Sequence, residues 1–467
     1  MPLRCTSLGF LLPFSRSILF FMTRKILYSI ITILVFISCN SMETIIYREL
    51  PKDVDSLEIH EGIVSLKAQR IKYKRNGKRV ATIEMSEPVM VAQAEQEEKW
   101  GYFQFPFFGK AEDGTLKVTW QMAIDTYQSY GSKSKRAMTP MISKDGGNTW
   151  VPQDKDYLEI RRDYGVIRLK DKLLQVITPK AKDIHGYDYF PKPVMTTGNR
   201  SYFLMDSIPA DLQGIYISYM ERNKKPYQIH AKLTDPKLLR YSINDEMPIV
   251  WWGNIRQLSD HSLVAGIHPC YYLDSLGHVT RSSVTFYRSE DEGHSWEAIS
   301  KIPFVYDGVA DVLGDKMYDE PAFEVLADST FICVMRTGST SPLYKTFSYD
   351  KGKSWTRPRP FTPNGVMPKL MLLENGILVL ISGRPGVQVR FSFDGTGRTW
   401  SDPIDMIPFM KEDGSYIRDV SCGYASFVDA GYDSFYLVYS DFTKKDASGN
   451  VRKSIWCRKI KVEAKSQ

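Results

Sequence analysis

Apolar positions along the chain come in short runs of strand length that turn residues close off. Leu116 to Met122, Leu263 to Ile267, Thr330 to Met335 and Ile377 to Ile381 are such runs, and Ala327-Asp328-Ser329 and Glu374-Asn375-Gly376 stand immediately before the last two. Runs of this length between Asp, Asn, Gly and Ser clusters predict strands joined by tight turns. Cys333 lies inside Phe331-Ile332-Cys333-Val334-Met335 and is expected to be a buried thiol. A longer, mostly apolar run, Ile26 to Ile37, follows Arg24-Lys25 and precedes Ser38-Cys39-Asn40-Ser41. Its 12 residues fall short of the roughly 20 that a bilayer requires, and its flanks are those of a signal peptide.

Phe36-Ile37-Ser38-Cys39 resembles a bacterial lipoprotein box. The resemblance implies cleavage before Cys39, lipidation of that cysteine, and an exported protein anchored to a bacterial membrane on the periplasmic or cell-surface side. Met22 is the expected start, because Met22-Thr23-Arg24-Lys25 makes a compact basic segment ahead of the apolar run. The leader also changes the charge reading. It holds Arg4, Arg16, Arg24 and Lys25 and no acidic residue, so the formal +7 falls to 57 basic against 54 acidic side chains in the remainder. Such a balance gives no reason to expect a nucleic-acid partner. With 467 residues, 43% hydrophobic and 25% charged, the chain has enough apolar surface for a large core and is neither disordered nor collagen-like. Cys270, Cys333, Cys422 and Cys457 are too widely spaced to form a disulfide framework or a metal motif, and no metal or cofactor is expected.

Internal similarity is the strongest signal. Ser143-Lys-Asp145-Gly-Gly147-Asn-Thr149-Trp150, Ser289-Glu-Asp291-Glu-Gly293-His-Ser295-Trp296 and Ser348-Tyr-Asp350-Lys-Gly352-Lys-Ser354-Trp355 share one pattern, Ser-x-Asp-x-Gly-x-Ser/Thr-Trp. A fourth copy from Ser392 to Trp400 has one extra residue before its second glycine, Gly397. Asp accepts N–H bonds within such a turn, Gly supplies positive φ and Trp packs alongside, so these Asp residues are structural. The motif resembles the Asp-box, or BNR repeat, of the sialidase-type β-propellers. The copies start 146, 59 and 44 residues apart. An interval of 146 is about three blade lengths, which predicts two blades without the turn between the first and second copies. The implied fold is all-β, a propeller of about six four-stranded antiparallel blades over residues 95–462. Residues 1–39 are then the leader, 40–94 a tether with a strand that closes the last blade, and 463–467 a tail.

In that fold the first strand of each blade begins at the rim where the second ends, and the repeated turn lies at the opposite rim. Glu320, at the start of a first strand, and Arg336, at the end of the returning strand, share one rim. Arg384 after Ile377 to Ile381 and Tyr424 before a last-blade strand belong there too. Sialidases carry a Tyr nucleophile, a Glu that takes its proton, an Asp acid/base and three Arg that hold the sugar carboxylate, and Tyr424, Glu320, Arg336 and Arg384 match four of these roles. A neutral Tyr approaches an anomeric carbon beside a carboxylate without repulsion, and Arg forks suit that carboxylate. The implied activity is exo-hydrolysis of a terminal acidic sugar, above all sialic acid, by a monomer whose partner is a glycan.

The match departs from the family at Phe103-Gln104-Phe105-Pro106, where the family's first Arg is replaced by Gln104. Lys369 and Arg70 are the cations that could compensate. Asp125, after Leu116 to Met122, is the candidate acid, and His268, at the end of Leu263 to Ile267, is an alternative on the same rim. Two other functions stay open: a propeller polysaccharide lyase acting on uronates with His268 or Tyr424 as base, and a glycan-binding propeller without turnover.

Overall fold

The computed structural model describes residues 69–464, except 77, 126–137, 154–164, 222–223, 310–316, 410–416 and 418, together with a pair of short strands, Glu58–His60 and Ile63–Ser65. The leader with Cys39 and the end of the tail, 465–467, lie outside the described residues.

The fold is all-β and propeller-like, assembled from consecutive antiparallel sheets. The first sheet runs Tyr102–Lys110, Leu116–Met122, Met141–Ser143, Val151–Pro152 in spatial order. The second is Val166–Arg168, Lys172–Ile177, Ile215–Glu221, Tyr227–Thr234, and the third Trp252–Gln257, Leu263–Cys270, Ser283–Ser289, Ser295–Ile302. The last strands of these two sheets pair in parallel. The fourth and fifth start at Asp319–Val325 and Val366–Leu372 and return through Phe331–Arg336 and Leu378–Gly383. Every residue of Leu378–Gly383 is buried, as is every residue but Arg336 of Phe331–Arg336, because neighbouring sheets cover both faces of these strands. This two-sided burial explains why the sequence shows continuous apolar runs rather than alternation.

In the sixth sheet Ala425–Asp429, Ser434–Asp441 and Ser454–Ala464 are completed by N-terminal strands. Lys78–Met85 pairs with the far half of Ser454–Ala464 and Val89–Gln93 with its near half. The innermost strands touch in chain order from the second sheet to the fifth, the returning strand Leu378–Gly383 of the fifth touches the innermost strand of the sixth, and the sixth touches the first.

The repeated turns join third to fourth strands in the first, third, fourth and fifth sheets. In each, Ser Oγ donates to Asp Oδ1 and accepts the glycine N–H, at 2.8 Å for both bonds in the copies at 143, 289 and 348. Hydroxyl donation by Thr149 and Ser354, joined by backbone N–H bonds, holds the Asp145 and Asp350 carboxyls down at about 2. Their oxygens are consumed within the turn. Trp150, Trp296 and Trp400 donate their indole N–H to the glycine carbonyl, whereas Trp355 reaches across to Ser300 Oγ at 3.0 Å.

One expectation is corrected. Among the described residues the 146-residue interval holds a single four-stranded sheet without the turn, not two. The remaining length is a five-stranded sheet in the order Lys182–Asp183, Glu246–Met247, Leu239–Ile243, Arg200–Leu204, Met195–Thr197. Its two segments leave the second sheet after Ile177 and after Thr234.

Candidate active site

Three inner strands carry, within their first four residues, a residue that precedes proline: Phe105-Pro106, Glu320-Pro321 and Met367-Pro368. Phe105, Glu320 and Met367 have φ of 52°, 45° and 47°, in the left-handed region that side chains avoid, and the pairing register shifts at each. A proline cannot donate to the ladder, so each marks a bulge where the strand leaves its partner. All three bulges turn toward one place. The Met367 N–H donates to Glu320 Oε2 at 2.8 Å, and the Phe105 ring meets the Tyr424 ring edge-on at 4.7 Å.

Glu320 Oε1 accepts from the Tyr424 hydroxyl and from Arg336 Nη1, the latter at 2.8 Å. Arg336 Nη1 also donates to the Tyr424 oxygen at 3.2 Å, while Nε and Nη2 reach Gly338 O and Ser339 Oγ. Arg384 Nη1 donates to the same Ser339 Oγ at 3.1 Å. Burial, reinforced by Glu320, pushes the Tyr424 phenol well above its ordinary range, against the pull of Arg336 and Arg384. Burial alone would ease the proton off Arg336, but Glu320, Tyr424 and Asp319 outweigh it and hold the guanidinium charged.

Glycines allow this convergence. A Cβ on Gly383, next to Arg384, would lie 1.6 Å from the carbonyl oxygen of Gly423, next to Tyr424. Gly423 itself has φ +80° and faces the Arg384 backbone.

Glu320, Arg336, Arg384 and Tyr424 therefore stand together, joined partly through Ser339. Gln104 is fully buried nearby, its Oε1 accepting the Gly101 N–H and its Nε2 without a partner among the described residues. Asp125 is exposed and accepts from the Trp100 indole N–H at 3.1 Å; Arg384 lies over the Trp100 ring at 5.9 Å, so Asp125 borders the group through Trp100. His268 is 3% exposed and contacts Asp319, the residue before Glu320, through Nδ1. Burial would raise the Asp319 carboxyl, but His268 and Arg336 outweigh it and hold it low. Lys369 sits half-buried further down its strand, opposite Ile381, and Arg70 pairs with Glu84 in the sixth sheet at 3.0 Å.

Sequence reasoning missed Asp319, Ser339 and the Met367 N–H. Asp319 adjoins Glu320 in a run of two acids before a proline, which was a usable signal. Nothing in Gly338-Ser339 distinguishes its serine. Among the described residues no group of three or more His, Cys, Asp or Glu is placed to hold a metal ion.

No protein-family model matches the chain, and no curated protein does. Solved structures do. A protein of unknown function from Dyadobacter fermentans is 17% identical, with a TM-score of 0.54 over 82% of this chain and 99% of that one. An α-L-arabinanase from Penicillium chrysogenum, complexed with arabinobiose, is 15% identical with a TM-score of 0.44 over 79% and 97%. A Hadza microbial sialidase is 15% identical with a TM-score of 0.45 over 84% and 74%. The Dyadobacter likeness is one of fold; the chemistry has to come from the site.

Proposed function

We propose that the protein is an exported exo-glycoside hydrolase on a six-bladed β-propeller, releasing a terminal acidic sugar, sialic acid foremost, through a Tyr424 nucleophile. The observation that carries the reading is the hydrogen bond from the Tyr424 hydroxyl to Glu320, with Arg336 donating to both oxygens. A phenol held neutral cannot attack unaided; Glu320 takes its proton as the Tyr424 oxygen bonds to the anomeric carbon and the glycosidic C–O bond breaks. The leaving oxygen takes a proton from an acid. Asp125, bordering the group through Trp100, fills that role, with His268 on Asp319 as the alternative. Water then gives a proton to the deprotonated acid and displaces Tyr424, which recovers its own proton from Glu320, so both groups are restored and the configuration is retained.

Arg336 and Arg384, bridged by Ser339, are placed to hold the sugar carboxylate, and Gln104 supports it through a neutral amide. That amide, buried with Nε2 unspent, also favours a second reading of the substrate, in which Gln104 bonds a neutral group of another glycan. In this account Cys39 carries the lipid that holds the enzyme at the membrane.

The test is a screen of the mature protein on aryl sialosides, other acidic glycosides and uronate polymers. Release of sialic acid without ultraviolet absorbance upholds the reading. Release of another sugar keeps the hydrolase and replaces sialic acid, a product absorbing through a new double bond indicates a lyase, and binding without product overturns the enzyme.

A further inference from the structure

We propose that the inserted sheet carries a second sugar subsite, built around Arg200, which takes an anionic group, carboxylate or sulfate, on the sugar next to the one released. The placement relative to a released sugar rests on the hydrolase reading; the anion site does not.

Arg200 opens the strand Arg200–Leu204 and is half-buried. Its Nη1 donates to the Tyr271 hydroxyl at 3.3 Å, its guanidinium lies over the Tyr241 ring at 5.6 Å, and Tyr202 is its third neighbour. All three are phenols, and no carboxylate among the described residues pairs with it. A half-buried guanidinium ordinarily finds a counter-charge, because desolvating it without one is costly. The fork has five N–H donors, so most remain for a planar or tetrahedral anion.

The surroundings hold the guanidinium rigid. Tyr202, Tyr241 and Tyr271 are buried and pack edge-to-face, Tyr202 against Tyr271 at 5.3 Å and Tyr241 against Tyr271 at 5.6 Å. The packed rings fix the guanidinium at the edge of the cluster, and the anionic sugar meets the exposed side of Arg200.

The cluster is contiguous with the Tyr424 group. Tyr271 follows His268 by three residues, His268 contacts Asp319, and Asp319 adjoins Glu320. The Trp252 ring lies 5.5 Å from His268 and packs against the tyrosine cluster. Asp319 is close enough to add to the burial that holds the Tyr271 phenol protonated. The insert also leaves the second sheet where its second and fourth strands end, and Arg336 marks the corresponding strand end of the fourth sheet.

The experiment compares kcat/KM on α2,8-linked disialic acid, whose leaving sugar carries a carboxylate, on 3′-sialyllactosamine sulfated at the 6-position of its galactose, and on 3′-sialyllactose, whose leaving sugar is neutral. In Arg200→Gln the ratio of anionic to neutral substrate falls roughly 10- to 100-fold, and Arg200→Lys recovers part of it. An unchanged ratio overturns the proposal. A second arm measures calorimetric binding of disialic acid, trigalacturonate and a sulfated chondroitin tetrasaccharide to Tyr424→Phe, with and without Arg200→Gln. Loss of affinity for at least one probe upholds the subsite even if the wild type cleaves none of them, which would sink the hydrolase alone. No binding, or equal binding by both proteins, overturns the subsite.

Discussion

At the scale of single residues the site is a problem of one proton. Tyr424 is held protonated by burial and by the Glu320 carboxylate, so the neutral phenol is the resting form across the physiological range. Glu320→Gln keeps the shape and removes the acceptor, and kcat should fall about 10²- to 10⁴-fold, with the melting temperature lowered as well because buried Arg336 loses its counter-charge. Arg336→Ala acts differently. It strips the charge partner from a buried carboxylate and should destabilise the fold by about 3–5 kcal/mol, read in a denaturant titration. The sequence made Glu320, Arg336, Arg384 and Tyr424 legible because each sits at a strand end that turn residues locate. It left Ser339 and the Met367 N–H hidden, since one is a loop serine like any other and the other is backbone. The His268–Asp319 contact was hidden too: it joins two sheets, and no local pattern encodes a partner 51 positions away.

At the scale of elements, strained strand starts and bare glycines place these side chains. Left-handed residues before Pro106, Pro321 and Pro368 are costly conformations, held only because surrounding structure over-determines them. Gly383 and Gly423 let two strand ends meet where any Cβ would collide with backbone. Gly383→Ala should therefore lower stability by about 1–3 kcal/mol and reduce turnover as well, because relieving the clash moves Arg384 or Tyr424. A pH effect belongs here too. Burial pushes the Asp405 carboxyl, beside Gln388 in the fifth sheet, up to about 6. A raised carboxyl favours the folded state while protonated, so this contribution is present below about pH 4 and is lost as pH rises through 6. Asp405→Asn should make stability between pH 4 and 7 less dependent on pH, seen in melting curves across that range. Strand starts and turns could be read from prolines and glycines; the left-handed backbone at the strand starts could not, since proline predicts the opposite preference.

At the scale of the whole molecule, sequence spacing told repeats from non-repeats but not what filled the long interval. The inserted strands are two to five residues long, too short for periodicity to register, and their summed length mimicked an extra blade. Closure is the other global feature. The C-terminal strand is covered by Lys78–Met85 and Val89–Gln93, and buried Arg458 donates through Nε and Nη2 to Ser86 O at 2.9 and 2.6 Å. Removing residues 78–93 should expose that strand edge and strand a buried guanidinium, lowering the melting temperature by more than about 10 °C. All of this architecture serves one claim, that Tyr424 attacks the sugar with Glu320 taking its proton. Peptide mass spectrometry of protein quenched during reaction with a fluorinated, activated sialoside tests it most directly. The account predicts a glycosyl adduct on Tyr424 that is absent from Tyr424→Phe; turnover with the adduct on another residue, or wild-type turnover by Tyr424→Phe, would contradict it.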